Sequence, residues 1–118
     1  MHLLGEVPSA TAFLATLSAM VYPATCGSGT KVKVLESIAV GVPVVTTQIG
    51  AEGIAPGNGI LVCESDDGLV SAAATLLTDG VARRARGVAA SATFARHHAP
   101  AAAMAPLAAL YRRMLSVA

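Results

Sequence analysis

The strongest constraint on the fold lies between residues 27 and 47, where three kinds of segment follow one another. A glycine loop, GSGT at residues 27–30, precedes the amphipathic run KVKVLESIAV, which ends at Gly41 and is followed by the β-branched run VPVVTT. Glycine lets the backbone turn tightly at both ends of a helix. Consecutive β-branched residues favour a strand that is buried on both faces. With residues 19–22 as a first strand, the order predicts a strand, a loop, a helix and a parallel strand.

The rest of the chain continues this alternation of short strands and helices. Ser9 is a candidate N-cap for a short first helix. Asp66 and Asp67 precede a run with one apolar face, and negative charge favours a helix N-terminus. Short strands that alternate with helices predict an α/β fold on a parallel sheet. The predicted elements after the glycine loop are a strand over residues 60–63 and helices over residues 66–77, 81–97 and 101–117, with Pro100 at the last joint.

Composition excludes several classes of protein. Of the 118 residues 54% are hydrophobic and 13% charged, which excludes a disordered chain. The first 26 residues contain no Lys or Arg and are interrupted by Pro8, so a secretion signal is not predicted. Apolar runs are broken by Gly and Pro before they reach the roughly 18 residues of a membrane span. Cys26 and Cys63 stand alone and suggest neither a zinc site nor a disulfide framework, so a cytoplasmic protein is expected.

Charge divides the chain into two unlike parts. The net charge of +1 is too small for the basic surface of a nucleic-acid-binding domain. Residues 1–80 nevertheless hold two Lys and all seven acids, whereas residues 81–118 hold six Arg and no acid. The simplest interpretation of the arginines is a solvated helix face. The alternatives are contact with acidic membrane lipid, which would make the protein peripheral at the inner membrane face, or contact with another domain.

The glycine loop is the first candidate for chemistry. Glycines before a helix let backbone N–H groups approach a ligand at the positive end of that helix, which suits a phosphate. Hydroxyls of Ser28 and Thr30 and the charge of Lys31 or Lys33 could add to such a site. The spacing matches neither the Walker A loop nor the G-x-G-x-x-G fingerprint. A plain strand-to-helix turn is therefore an equal alternative.

Glu36 makes a ligand site more plausible than a turn. On a helical projection it falls among Val32, Ala39 and Val40, while Lys33 and Ser37 share the polar arc. A carboxylate in apolar surroundings is costly unless hydrogen bonds are donated to it, and ribose hydroxyls supply such bonds in nucleotide sites. The alternative is an ion pair with Lys33, one turn away on the same helix.

Residues 23–62 resemble the donor-binding half of group 1 (family 4) glycosyltransferases, which have the GT-B fold. Flanking segments are similar too, with HLLGEVPS matching a preceding strand and GILV a following one. The resemblance implies a Rossmann-like parallel sheet with flanking helices, the C-terminal half of a GT-B fold. We expect residues 1–98 to form part of this domain and residues 99–118 a C-terminal helix. Positions in register with the family motif are Pro23, Lys33, Leu35, Glu36, Ala39, Gly41, Pro43, Val44, Val45 and Gly50.

The resemblance also implies roles for individual residues. Glu36 corresponds to the second acid of the family's E-x7-E element and would bind the donor ribose, whereas Ser28 replaces the first acid, as in a branch of the family with G-x-G in this loop. Gly5 and Val7 resemble the part that lines the nucleobase. No metal or cofactor is implied, and the nucleotide-sugar is a substrate. The implied diphosphate and sugar loop consists of Gly27, Ser28, Gly29 and Thr30, with Lys31 or Lys33 as the charge partner.

By this resemblance the activity is transfer of a hexose from a UDP- or GDP-sugar to an acceptor. The acceptor site and catalytic groups belong to an N-terminal domain, so we expect a truncated donor-binding part that is inactive alone. The alternatives are a non-catalytic nucleotide-binding or interaction module, or a gene remnant, and a sugar-nucleotide epimerase, which shares the two-domain fold. His97 and His98 are expected to cap helix carbonyls, and Cys26 to be a packing residue.

Overall fold

A computed structural model describes residues 1–117, which contain three strands and six helical segments. The sequence-based prediction of an α/β fold with a parallel sheet and flanking helices is confirmed. The elements, in chain order, are α1 (Ala10–Leu14), β1 (Met20–Tyr22), α2 (Val32–Ala39), β2 (Val44–Thr46), β3 (Ile60–Val62), α3 (Asp66–Thr78), α4 (Gly80–Thr93), a π-helix (Phe94–His98) and α5 (Pro100–Val117).

The sheet is parallel and has the strand order β1-β2-β3. Val44 of the central strand lies opposite Met20 on one side and Ile60 on the other. All three residues of β2 are buried, as the β-branched run predicts. Because side chains alternate along a strand, β2 supplies a separate hydrophobic core on each face of the sheet.

The first core lies between the sheet and the pair α2 and α4. Val44 packs there with Val34 and Ile38 of α2 and with Ala90 of α4, and all four are fully buried. The second core lies on the opposite face, where Val45 of β2 packs against α3. Full burial of one Val or Leu side chain stabilises a fold by about 1.5–3 kcal/mol. Both helical layers are therefore needed to cover this small sheet. The α3 residues of the second core are Leu69 and Leu76.

Gly41, the glycine predicted to end α2, forms a Schellman motif. Gly41 has a φ of 77° and donates its N–H to the carbonyl of Ile38 at 3.1 Å. The N–H of Val42 reaches the carbonyl of Ser37 at 3.0 Å. This pairing satisfies two carbonyls that the helix end would leave free, and the left-handed φ favours glycine. The chain then turns directly into β2.

Two local predictions differ from the structure. The segment similar to a family strand, residues 1–9, forms no strand, and it adds no side chain to either core. Its Leu3 is 88% exposed, so this apolar side chain does not hold the segment against the sheet. The helix predicted over residues 81–97 is α-helical only to Thr93 and continues as the π-helix. The predicted cap at Ser9 is confirmed, since its Oγ accepts the N–H of Ala12 at 3.2 Å.

The π-helix connects the last part of the chain to the long loop between β2 and β3. Its hydrogen bond runs from the N–H of Ala99 to the carbonyl of Phe94 at 2.8 Å. Within it, His98 Nε2 accepts the N–H of Ala55 at 3.0 Å. The expectation that His98 caps helix carbonyls is wrong, because the wider π turn directs this ring to a loop amide instead. None of the helices described combines the length and hydrophobicity that a bilayer crossing requires.

Gly59 allows α4 to approach β3 closely, and we predict that Gly59→Ala destabilises the fold by about 1–3 kcal/mol. A Cβ at this position would overlap the backbone of Ala90, which lies in the first core and cannot move without disturbing it. The measurement is the midpoint of unfolding in urea, compared between proteins that unfold with the same m-value. Gly80→Ala is the matched control, because the nearest atoms to its Cβ would be arginine side-chain nitrogens at 3.6 Å. Equal midpoints for the two variants would contradict the prediction.

We predict that His98 makes stability depend on pH. Burial, and secondly the neighbouring His97, lower the pKa of His98 below its ordinary value of 6.5. The unfolded chain therefore binds this proton more tightly than the folded chain. The contribution of the neutral ring is fully present above pH 6.5 and is lost as the pH falls from 6.5 towards the lower folded pKa.

The measurement is the free energy of unfolding across that pH range. His98→Gln should reduce the pH dependence, since an amide oxygen can accept the same N–H without titrating. His2→Gln is the control, because His2 is exposed and lies in the segment outside both cores. A pH slope that His98→Gln leaves unchanged would show that another group is responsible.

Candidate functional site

The candidate site lies where the parallel strands end, at the edge of the sheet where open α/β folds bind ligands. Thr46 and Thr47, at the end of β2, fix the segment that follows β1. Thr46 Oγ1 donates to the carbonyl of Tyr22 at 2.6 Å, and Thr47 Oγ1 donates to the carbonyl of Ala24 at 2.6 Å. Thr47 Oγ1 also accepts the N–H of Gly50 at 3.2 Å. The two threonines thus anchor the approach to the glycine loop and the start of the loop after β2.

The glycine loop has a backbone that few other residues could adopt. Gly27 has a φ of 109° and Gly29 a φ of 78°, both in the left-handed region. The loop leads directly into α2, whose N-cap position is Lys31, and no side chain caps this end of the helix. The first helical bonds are made by the amides of Val34 and Leu35 to the carbonyl of Lys31. Within residues 1–117, the amides of Val32 and Lys33 are left for a ligand or solvent.

Lys31 joins the glycine loop to the loop after β2. Its Nζ donates to the carbonyl of Gly29 at 2.6 Å and lies 3.8 Å from a carboxylate oxygen of Glu52. Its side chain is only 12% exposed. A Cβ at Gly53, whose φ is 74°, would overlap Thr30 Oγ1, so the two loops are in close contact here. The structure therefore distinguishes two lysines that the sequence spacing leaves equivalent.

Lys33 contacts the last residue of β1. Its Nζ lies over the ring of Tyr22, 4.8 Å from the centroid, in a cation–π contact. The ion pair between Lys33 and Glu36, considered as an alternative role for the carboxylate, is not formed. Of these two lysines, it is Lys31 whose ammonium group contacts the glycine loop.

Glu36 lies on α2 one turn beyond its uncapped end. Its side chain is half-buried, and no donor within residues 1–117 hydrogen-bonds to it. The prediction that apolar residues surround Glu36 is only partly correct, because Val32 and Ala39 are exposed to solvent. Ser37 was expected on the polar arc but is fully buried, and its Oγ donates to the carbonyl of Lys33 at 2.8 Å. The buried face of α2 is thus rotated towards Ser37, which leaves Glu36 at the rim.

Two of the predicted residues form no hydrogen bond with the glycine loop within residues 1–117. Gly5 lies in the exposed N-terminal segment, where a Cβ would meet no atom within 4 Å. Val7 is half-buried, and no hydrogen bond in residues 1–117 joins it or Gly5 to the glycine loop. The nucleobase role of Gly5 and Val7 therefore stays a prediction from the family resemblance.

A cavity adjoins the glycine loop without being lined by it. It has a volume of about 810 Å³ and is formed by the loop after β2 together with β3. Glu52 and Gly53 line this cavity and also contact Lys31 and Thr30. Most of the remaining lining is apolar or backbone, which offers no charge for a phosphate. We therefore place the candidate site at the glycine loop and α2, with Glu52 and Gly53 as its second wall.

Sequence reasoning missed the residues that fix these loops, namely Thr46, Thr47, Glu52 and Gly53. The sequence does contain a signal for them, because two threonines end the predicted buried strand and are followed by a G-A-E-G run. A threonine at a strand end can donate to a neighbouring segment, but its partner is decided only when parallel strands pair. Within residues 1–117, no group of three His, Cys, Asp or Glu side chains could hold a metal ion.

Two arginines of the C-terminal region are structural rather than solvated. Arg83 donates to the carbonyl of Leu76 at 2.9 Å near the end of α3, and Arg86 donates to the carbonyl of Asn58 at 2.6 Å. The expectation of one solvated arginine face is therefore wrong for these two, because each reaches a backbone acceptor in a neighbouring segment. Cys26, expected to be a packing residue, is exposed.

Comparison with known proteins bears on the same region. A family sequence model described as glycosyl transferases group 1 matches residues 1–79. Searches of curated proteins and of solved structures give no match. Since the family match covers more than half of the chain and includes all three strands, the glycine loop and Glu36, the chain belongs to the group 1 glycosyltransferases.

Proposed function

We propose that this chain is the donor-binding, C-terminal part of a GT-B glycosyltransferase and holds a UDP- or GDP-sugar at the glycine loop. The observation that carries the proposal is the uncapped N-terminus of α2 behind two left-handed glycines. Two free amides and the positive end of the helix dipole favour an anion at this position. A nucleoside diphosphate is the anion that family membership makes most relevant.

Lys31 supplies the positive charge in this proposal. Its Nζ is held at the loop by the carbonyl of Gly29 and is balanced by Glu52 at 3.8 Å. Side chains of Ser28 and Thr30 are exposed and add hydroxyl donors around the same backbone. A diphosphate at the loop would therefore meet amides, hydroxyls and one ammonium group.

Glu36 binds the ribose in this proposal. It follows Val32 by four residues, about 6 Å along the helix axis, which is within the span between a diphosphate and the ribose attached to it. A half-buried carboxylate without a hydrogen-bond donor is suited to accept from two vicinal hydroxyls. Glu36 is thus the residue that would select a nucleotide over a simple phosphate.

The reaction needs charge stabilisation on the leaving group. In glycosyl transfer the bond between the anomeric carbon and the diphosphate oxygen breaks, and negative charge accumulates on the nucleoside diphosphate. Amides that are fixed before the reaction stabilise such charge without reorganisation. The glycine loop and the start of α2 would provide this stabilisation, so we propose that no metal ion is required.

The acceptor and the catalytic groups come, in this proposal, from a separate N-terminal α/β domain. The chain alone is then expected to bind donor and not to transfer sugar. A cytoplasmic location, and contact of the arginine-rich tail with the inner membrane face, also stay predictions. Exposed arginines that such a contact could use are Arg84, Arg96, Arg112 and Arg113.

We predict that the purified chain binds UDP or GDP and that Glu36→Gln raises the dissociation constant about tenfold or more. Loss of hydrogen bonds from ribose to a charged acceptor removes about 1.5–3 kcal/mol. The measurement is isothermal titration calorimetry with each nucleotide. Glu64→Gln is the matched control, since Glu64 is an exposed acid beyond β3. Absence of binding by both nucleotides at millimolar concentration would remove the donor-site proposal.

We further predict that the two lysines differ in their contribution to nucleotide binding. Lys31→Met keeps the aliphatic length but removes the ammonium group at the glycine loop, and should weaken binding about tenfold. Lys33→Met should change binding by less than about twofold, because its ammonium group contacts Tyr22 instead. The same titration measures both variants. A larger effect for Lys33→Met would place the diphosphate beside Lys33 and Tyr22 instead.

A further inference from the structure

The loop after β2, residues 47–59, carries one wall of the candidate site and is held at both of its ends. Near its start, the N–H of Ile54 donates to the carbonyl of Ala51 at 3.1 Å and closes a turn. At its far end, Arg86 of α4 donates to the carbonyl of Asn58 at 2.6 Å. The segment between these two points is held by a contact of another kind.

Ala55, in this middle segment, is hydrogen-bonded to a histidine ring from the C-terminal part of the chain. Its N–H donates to His98 Nε2 at 3.0 Å. An imidazole nitrogen accepts a hydrogen bond only when it carries no proton, so the proton of the neutral ring lies on Nδ1. Ala55 is half-buried, and a buried backbone N–H needs an acceptor. The contact therefore depends on the protonation state of His98.

The π-helix fixes the histidine ring on its own side of this contact. Phe94, the first residue of the π-helix, packs against the first core. The N–H of Ala99 donates to the carbonyl of Phe94 at 2.8 Å and closes the turn that ends at His98. Glu52 and Gly53, in contrast, are exposed. Loss of the hydrogen bond would therefore displace the loop rather than the ring.

The same loop carries the residues that contact the glycine loop. A carboxylate oxygen of Glu52 lies 3.8 Å from Lys31 Nζ. Gly53 is so close to Thr30 that a Cβ at this position would overlap Thr30 Oγ1. Ala55 follows Gly53 by two residues, which is at most about 7 Å of chain. A shift of the backbone at Ala55 therefore reaches the wall that faces the glycine loop.

No carboxylate among residues 1–117 forms an ion pair with His98. Burial, and secondly the charge of His97, lower the pKa of His98 below 6.5, whereas a neighbouring carboxylate would raise it. The neutral ring is therefore the form present at neutral pH. The titratable and charged groups on the elements packed against His98 are His97 and Arg96 on the π-helix, Glu52 on the loop, Lys33 and Glu36 on α2, Arg83, Arg84 and Arg86 on α4, and Tyr111, Arg112 and Arg113 on α5.

We propose that His98 is a positioning residue of the donor site, whose neutral ring holds the wall with Glu52 and Gly53 against the glycine loop and whose protonation weakens nucleotide binding. This inference rests on the proposed function and names what regulates that site. A protonated ring carries N–H on both nitrogens, so Nε2 then faces the N–H of Ala55 as a second donor. Ile54 packs against the first core, so the loop shifts without unfolding.

The test is isothermal titration calorimetry of the full chain with UDP and GDP from about pH 5.5 to about pH 8. At the upper pH, His98→Gln should bind within about twofold of the unaltered chain, because an amide oxygen also accepts an N–H. At the lower pH it should bind about fivefold more tightly, because its acceptor does not titrate. The terminal phosphate of the nucleotide titrates near about pH 6 as well. Dividing the two dissociation constants at each pH removes this contribution of the ligand.

His97→Gln is the matched control on the same turn. It removes a titrating ring and keeps His98, so the pH dependence should persist. Its midpoint should move upward, because the like charge that lowers the pKa of His98 is gone.

His98→Leu tests the hydrogen bond apart from the charge. It offers no acceptor, so it should weaken nucleotide binding about fivefold even at the upper pH and remove the pH dependence of the protein. Amide hydrogen exchange without nucleotide should be faster over residues 48–58 and unchanged in α2 and β2. A residue needed only for global stability would instead raise exchange in the core elements too.

The outcomes distinguish this inference from the proposed function. Absence of binding by both nucleotides at every pH would remove the donor site and the inference with it. Binding with the same pH profile in His98→Gln as in the unaltered chain would overturn the inference alone. So would a His98→Leu variant with unchanged affinity and unchanged exchange in the loop. Circular dichroism at each pH establishes that the variants are folded, and if His98→Leu is not, His98→Gln decides by itself.

Discussion

Burial of β2 on both of its faces is the constraint on which the rest of the structure depends. Val44 and Val45 point in opposite directions from one short strand, and both are fully buried. One helical layer cannot cover both faces, so α2 and α4 pack on one side and α3 on the other. The parallel order of β1 and β2 requires a crossover connection, which α2 supplies. It also brings the loops after β1 and β2 to the same edge of the sheet.

That edge holds the proposed donor site. Thr46 is both part of the buried strand and a donor to the carbonyl of Tyr22, so packing of the sheet and positioning of the glycine loop depend on the same residue. Lys31 then connects the glycine loop to the wall that holds Glu52. The site is thus built from segments that are distant in sequence.

Much of the fold could be predicted because its signals are local. A glycine with left-handed φ ends α2, the serine cap begins α1, and β-branched residues form β2, each for reasons contained in a few adjacent residues. The strand expected in residues 1–9 is not formed, for the opposite reason. A strand needs a partner and an apolar contact, and neither is decided by the segment's own composition.

The sequence by itself determined the order of elements, the glycine loop before α2 and the position of Glu36 four residues into the helix. These follow from backbone conformation and helical spacing. Only the tertiary structure decided which lysine reaches the loop, which face of α2 is buried at Ser37, and where His98 finds its hydrogen-bond partner. Each of these depends on contacts between segments far apart in the chain, so the three-dimensional packing, and not the local pattern, sets them.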